Sequence, residues 1–522
     1  MEFDPLEKQI AAHLFRKVKF VPSSEQEAFA ISLLRSAKEG HLCQQIEGSP
    51  PLPAALWSTV QEGDAPTTPF VVQSNRIYLQ KNWMLETAIV KKVQELVLRP
   101  VPPSDSTLFQ QGLMSIQAVL QDAQRVAIEE AFQKPFSLFT GGPGTGKTYT
   151  AGHFIRLLAL ATHRPFRTAI AAPTGKAAAH LESSLRNQGP LPPHLSIEST
   201  TLHRLLRLQP GQQKFFEQST IDADLVVIDE ASMLDSSMLL HLLYAIGPNT
   251  RLLLLGDPDQ LPPIEAGSLF AELADLFGLP LTRSLRLGTE ELISLAQSVK
   301  EGDFTALMQS TCRLEWEFSP SRRSHIIDQL IERLPNPLHA QRPDPSTCLQ
   351  EQSRFRILCG LRQGLYGVDE INRLLLERFQ AKGMPWLALP ILITKNDPRQ
   401  NLYNGTPGIL IRRLGVPQGM AYFSLSDQLV ELPESALPHY EVAFCLSIHK
   451  SQGSEYEEVL ALFPPGSERF GKEALYTAIT RAKKKALLVM DGKALESSRK
   501  SSGFTGRICQ QLPYLSRQSR QD

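Results

Sequence analysis

Short, predominantly apolar runs recur along this 522-residue chain, separated by longer stretches whose apolar positions follow helical spacing. Phe136-Ser-Leu-Phe-Thr140, Thr168-Ala-Ile-Ala-Ala172, Leu225-Val-Val-Ile228 and Arg251-Leu-Leu-Leu-Leu255 read as buried strands; residues 148–163, with Phe154, Ile155, Leu157 and Leu158, read as a helix. A strand can dispense with polar positions only when both its faces are covered, so this alternation predicts an α/β chain built on a parallel sheet with helices packed over it. The same alternation resumes at Phe355-Arg-Ile-Leu-Cys359, Val442-Ala-Phe-Cys-Leu446, Glu458-Val-Leu-Ala-Leu-Phe463 and Ala486-Leu-Leu-Val-Met490, which predicts a second α/β domain.

Breaks in the pattern suggest where the units divide. Pro100-Val-Pro-Pro-Ser-Asp-Ser-Thr107 reads as a proline-rich linker, setting a small N-terminal unit (1–107) apart from a first α/β domain (108–310). The prolines of Leu334-Pro-Asn-Pro337 and Arg342-Pro-Asp-Pro345 mark a second break, within the stretch 311–522 assigned to the second domain. Residues 205–222, with Gln209-Pro-Gly-Gln212 at the middle, are expected to be a protruding hairpin, and the Gly- and Pro-rich residues 396–440 a small β-rich insertion.

Composition narrows the function classes. Lys plus Arg equal Asp plus Glu, so the chain as a whole is no polycation, and any contact with DNA has to be a local groove. A basic run closes the sequence: residues 481–522 carry ten Lys or Arg against three acids, which suits a solvated surface as well as a phosphate contact. The six cysteines are far apart with no metal-binding spacing, which fits reduced thiols in the cytoplasm rather than a disulfide scaffold, zinc or an iron–sulfur cluster. Neither a signal peptide nor an 18-residue apolar stretch is present, so a cytoplasmic location is expected.

The most specific chemistry lies at the end of the first strand. Gly141, Gly142, Pro143, Gly144, Thr145, Gly146, Lys147 and Thr148 fit the phosphate-loop pattern G-x-x-x-x-G-K-[ST] without a mismatch. Glycines let a backbone curl until several N–H groups converge on a polyphosphate at a helix N-terminus; Lys147 reaches its outer phosphates and Thr148 ligates Mg²⁺. ATP and Mg²⁺ are therefore the expected cofactors. Asp229 and Glu230 end the apolar strand 225–228, where the first suits the metal and the second a base that orients water. Gly256-Asp-Pro-Asp-Gln260 ends the next strand and offers an amide to a γ-phosphate. Ala172-Pro-Thr-Gly-Lys-Ala-Ala178 is either a backbone phosphate clamp or a plain strand-to-helix loop. Ser447-Ile-His-Lys-Ser-Gln-Gly-Ser-Glu455 is a dense polar loop after a buried strand, and Tyr476-Thr-Ala-Ile-Thr-Arg-Ala482 a helix whose Arg481 is either functional or merely exposed.

Taken in order, these segments resemble the motif series of superfamily 1 helicases and, within it, the RecD-like family of superfamily 1B, along nearly the whole chain. The resemblance implies two RecA-like domains closing on ATP, with Gln124 reading adenine and Glu455 also contacting the nucleotide. It places Lys147, Thr148, Asp229, Glu230 and Gln260 on one wall, and Arg286 (from Ser284-Leu-Arg-Leu287) and Arg481 on the other as the charge clamp. It further implies that Pro173, Thr174, Lys176, Thr201, His203, Ser447 and His449 hold single-stranded DNA, and that 205–222 falls where the family carries a strand-separating hairpin. The implied activity is ATP-driven 5′→3′ unwinding as one subunit of a RecBCD helicase–nuclease in recombination and double-strand break repair. The N-terminal unit would bind RecC, and the nuclease would belong to RecB. One local feature agrees with backbone tracking: Leu261-Pro262-Pro263 follows Gln260 with no aromatic run for stacking bases. A standalone helicase of the same family, a P-loop ATPase with another mechanical task, and a non-translocating ATP-binding scaffold are the alternatives.

Overall fold

A computed structural model describes residues 5–60, 66–208, 220–263, 267–282, 290–310, 312–413, 415–425 and 428–490. Two parallel sheets organise them. The first has six strands in the order Gly278–Pro280, Phe136–Thr140, Arg251–Gly256, Leu225–Ile228, Phe166–Ala172, Leu195–Thr201, every neighbouring pair parallel. Because successive side chains of a strand point to opposite faces, each strand feeds two cores. Phe139, Ile170, Val227 and Leu253 meet Phe154, Leu157 and Leu181 on one face, while Leu138, Ala171, Val226 and Leu254 meet Leu239, Leu242 and Phe270 on the other. That second core also takes in Leu85, Ile89 and Val93 of helix Gln80–Val97.

The N-terminal unit is therefore built into the core of the first parallel sheet through its longest helix. Its own four-stranded sheet, in the order Cys43–Gln45, Arg76–Leu79, Phe70–Gln73, Trp57–Thr59, packs under helices Pro5–Lys17 and Ser24–Lys38. Gly267 N–H donates to Gly40 O at 2.8 Å, a second tie between the unit and the first α/β domain. The proline segment expected to be a linker is likewise held in place. Arg251, 3% exposed, donates to Phe132 O at 2.7 Å and to Pro102 O at 3.0 Å, and Asp105 N–H donates to Ala161 O at 2.8 Å.

The second parallel sheet has the order Arg313–Glu315, Ala482–Met490, Tyr456–Phe463, Phe355–Cys359, Cys445–Ser447. Leu292, Leu295, Val299 and Leu307, from helices Glu290–Glu301 and Thr305–Gln309, share a core with Leu358, Ala461 and Leu488 of this sheet. Their packing joins 290–310 to the second sheet, so the division expected at residue 310 falls before these helices instead. A five-stranded antiparallel sheet follows the order Gln428–Pro433, Met420–Leu425, Pro407–Arg413, Trp386–Ile393, Tyr440–Val442. This β-rich insertion thus begins at Trp386, ahead of the expected 396, since Trp386–Ile393 pairs along its length with Pro407–Arg413. The single strand expected at 442–446 is two: Tyr440–Val442 belongs to the insertion and Cys445–Ser447 to the parallel sheet. Most of the expected hairpin (209–219) and most of the basic run (491–522) lie outside the described residues. No described helix is long and apolar enough to cross a membrane.

Arg251→Ala removes the donor that serves Phe132 O and Pro102 O. We expect a loss of about 2–4 kcal/mol in urea unfolding, from buried carbonyls left without their donor, and faster proteolytic cleavage between residues 100 and 105.

Candidate functional site

The phosphate loop leaves the buried strand Phe136–Thr140 through glycines at φ 155° (Gly141), 75° (Gly144) and 82° (Gly146), the last two in the left-handed region that side chains disfavour. At Gly146 a Cβ would also strike the Gln124 amide nitrogen at 2.5 Å. Gly146 opens helix Lys147–Leu160 with no side-chain cap, so the first N–H groups of that helix face the loop and complement an anion. Lys147 Nζ donates to Gly141 O at 2.6 Å and Gly142 O at 3.0 Å, and Thr145 Oγ1 donates to Gly142 O at 2.8 Å. Gln124 is buried beside the loop, its oxygen accepting from Gln121 N at 3.0 Å and its nitrogen 3.5 Å from Thr145 O.

The acids stand next to it. Thr148 Oγ1 lies 3.5 Å from Asp229 Oδ2, and Asp229 Oδ1 accepts from Glu230 N at 2.8 Å. Burial, with Glu230 adding like charge, pushes the Asp229 carboxyl up to about 7. Glu230 sits at φ 52°, an unusual conformation for a side-chain-bearing residue, which turns it off the strand axis. Asp257 is buried and its carboxyl is raised by that burial; Oδ2 accepts from Gln260 Nε2 at 3.1 Å and from Tyr476 Oη at 3.0 Å. The buried Gln260 Oε1 and Ser232 Oγ have no hydrogen-bond partner. A magnesium nucleotide fits this donor set: one carboxylate and one hydroxyl for the metal, with phosphate oxygens completing its shell, and glycines and an ammonium for the phosphates.

The second lobe closes over these groups. Leu261 N–H donates to Thr477 Oγ1 at 2.7 Å and Leu261 O accepts from Gln452 Nε2 at 2.6 Å. A Cβ on Gly453 would lie 3.7 Å from Glu230 Oε1, and one on Gly142 only 2.9 Å from Tyr476 Oη. Arg481 is 3% exposed, so it is no surface arginine; its guanidinium donates to Thr477 O and Ser454 O, each at 3.3 Å. Glu455 pairs with Lys483 at 3.3 Å. Arg286 lies outside the described residues. Sequence reasoning passed over Asp257, Gln452, Tyr476 and Thr477. All four stand in motifs that were legible, but their partners lie far away in the chain: 219 residues separate Tyr476 from Asp257.

The candidate strand-binding residues fall into two groups. Ala172 pairs with Thr201 at the ends of adjacent strands, so Pro173 and Thr174 stand beside Thr201 and the exposed His203. Thr174 caps helix Gly175–Asn187 by accepting from Ala177 N at 3.3 Å, with Lys176 in the first turn. Tyr403 of the insertion lies 3.5 Å from where a Gly175 Cβ would be. In the second lobe Ser447 ends an edge strand and accepts from Lys450 N at 3.3 Å. Burial holds the His449 imidazole down to about 4, and it donates to the Pro262 carbonyl. At neutral pH it is an uncharged brace for the segment after Gln260.

A phosphate loop and twin acids on one parallel sheet, with Gly453 and Tyr476 of a second lobe closing against them, define a two-lobed nucleotide-driven motor of the helicase class. Residues 124–266 match the family model of an AAA domain and 442–489 that of a UvrD-like helicase C-terminal domain. The chain belongs to the RecD family. It is 32% identical over 521 residues, 90% of each chain, to RecBCD enzyme subunit RecD of Mycolicibacterium smegmatis. It is 31% identical over 519 residues, 90% of this chain and 88% of the relative, to the RecBCD enzyme subunit RecD of Mycobacterium tuberculosis. With the ATP-dependent RecD2 DNA helicase of Deinococcus radiodurans the identity is 27% over 421 residues, 78% of this chain and 54% of that one.

Asp229 supplies a pH test. Its folded value of about 7 exceeds the ordinary 3.8, so the fold favours the neutral acid; that stabilisation is complete below about pH 4 and is lost as pH rises through 7. Without nucleotide, the wild-type melting temperature should fall between pH 5 and 8 more steeply than that of Asp229→Asn, by scanning calorimetry, while the variant loses Mg²⁺-dependent ATP hydrolysis. Parallel profiles would show that Asp229 is not buried as described.

Proposed function

We propose that this chain is an ATP-driven 5′→3′ DNA helicase motor working as one subunit of a RecBCD-type assembly. The observation that carries the reading is the cleft itself, where a Cβ on Gly453 of the second lobe would lie 3.7 Å from Glu230 and Tyr476 reaches Asp257 at 3.0 Å beside the phosphate loop that carries Lys147 and Thr148. Lys147 exchanges the loop carbonyls for the outer phosphates of ATP, and Gln124 meets the base. Mg²⁺ held by Thr148 and Asp229 supplies charge neutralisation on the phosphate oxygens. Glu230 orients the attacking water, and Arg481 together with Arg286 offsets charge that builds up as the phosphoryl group leaves, an effect worth roughly 10³ to 10⁵ in rate for such arginines.

Movement follows from where the cleft contacts lead. Leu261 is bound by the second lobe, and Pro262 is bound by His449, two residues beyond Ser447. A change in closure at the nucleotide is thereby passed to the second-lobe strand contacts, while Thr174, Lys176, Thr201 and His203 grip from the first lobe. Two grips that alternate under ATP turnover move a strand in one direction. The 5′→3′ sense, RecB and RecC as partners, and a RecC-binding role for the N-terminal unit rest on the family. A subunit is favoured over a standalone enzyme because the mycobacterial subunits match 90% of this chain at 31–32% identity, whereas the Deinococcus helicase matches 78% of it at 27%.

Single-stranded DNA should stimulate ATP turnover strongly, Lys147→Ala should abolish it, and unwinding should require a 5′ tail. Turnover indifferent to DNA, both alone and with RecB and RecC, would overturn the reading.

A further inference from the structure

Gln260 has an amide whose two ends are in different states. Its nitrogen donates to Asp257 Oδ2 at 3.1 Å, and its oxygen is buried without a partner. A side-chain amide flips about its last torsion with little intrinsic preference, so what fixes the oxygen's direction is whatever fixes the nitrogen's acceptor. That acceptor is an aspartate whose same oxygen also takes a hydrogen bond from Tyr476, at 3.0 Å. Asp257 Oδ1 is occupied within its own turn, accepting from Asp259 N at 3.1 Å, so the carboxylate has little freedom to rotate.

Tyr476 belongs to the other lobe. Its ring is 6% exposed and packs in the core of the second sheet with Ile448, Leu475 and Ile479, while its hydroxyl crosses the cleft to Asp257. On the way it passes Gly142, where a Cβ would come within 2.9 Å of the phenol oxygen. The phenol therefore touches the phosphate loop and the γ-phosphate-sensing turn at once. Burial raises both the phenol and the Asp257 carboxyl above their ordinary values, and the short contact pairs a protonated donor with its acceptor at neutral pH.

We propose that Tyr476 is a positioning residue for ATP hydrolysis: by holding Asp257 from the opposite lobe, it fixes the Gln260 amide with its oxygen toward the cleft only while the lobes are closed. This rests on the helicase reading and adds to it a gate. When the lobes part, the phenol leaves with the second lobe, Asp257 loses one of its donors, and the amide is free to turn, so hydrolysis is confined to the closed state that grips the strand. Gly142 then has a reason to be glycine beyond phosphate approach, because any side chain there would hold the phenol off.

The test is a double-substitution cycle in the full chain, with DNA-stimulated ATP turnover measured first in wild type and in Lys147→Ala. Tyr476→Phe keeps the ring and removes only the hydroxyl. It should lower kcat by roughly tenfold while KM for ATP stays within about twofold, the pattern of an interaction that matters in the transition state and not in binding. Gln260→Ala should cost far less in the Tyr476→Phe background than in wild type, because two residues acting through one hydrogen-bond chain are not independent. Asp257→Asn should behave like Tyr476→Phe, and the melting temperatures separate any folding defect from the kinetic effect. A kcat unchanged in Tyr476→Phe, or effects of Tyr476→Phe and Gln260→Ala that simply multiply, would overturn the proposal while leaving the motor intact. An absence of DNA-stimulated turnover in wild type, both alone and with RecB and RecC, would overturn the helicase reading and this inference with it.

Discussion

The backbone of Leu261 is held at both its polar groups by the second lobe, its N–H by Thr477 and its carbonyl by Gln452. Those two bonds fix the segment just beyond Gln260 to a body that otherwise has its own sheet and its own core. A buried peptide group without a partner is costly, so parting the lobes here requires water to replace Thr477 and Gln452. The alignment of Tyr476 with Asp257, of Gly453 with Glu230 and of His449 with Pro262 all presuppose this junction. It acts as a latch of neutral hydrogen bonds, which exchange with water readily, and the ion pair from Lys300 of the second lobe to Asp259 at 2.6 Å adds to it.

Much of this was legible in the sequence, for identifiable reasons. Strands such as Leu225–Ile228 show themselves because both faces are covered, and the phosphate loop because all its geometry is local to eight residues. What was hidden depended on partners. The helical pattern of 290–309 says that one face is buried but not against which sheet, and the packing gives those helices to the second. Trp386–Ile393 reads as an ordinary buried strand until its antiparallel pairing with Pro407–Arg413 assigns it to the insertion. The prolines of 100–107 suggest a flexible tether, yet the single guanidinium of Arg251 pins them. His449 stands in a dense polar loop of the sequence, yet the fold buries its ring against Pro262, since solvation is a property of the fold and not of the residue.

Burial has the opposite use at the acids. Asp229 and Asp257 are carboxyls taken out of water a short distance from Lys147, a cost that no stability argument recovers and that a cation-bearing ligand does. The site is thus least comfortable without its ligand, and binding relieves the like-charge contact between Asp229 and Glu230.

Helix Gln80–Val97 shares the core of the first sheet, and Gly40 is bonded to Gly267 close behind the Gln260 turn. A machine that hauls on a polymer recoils against whatever holds it. With the N-terminal unit welded to the first lobe, a protein that clasps that unit anchors the half of the engine that carries the phosphate loop, leaving the other half as the moving arm. In an assembly that holds this unit, traction on the strand would pass through that helix and the Gly40–Gly267 bond, and softening them would let the engine burn fuel without pulling its load.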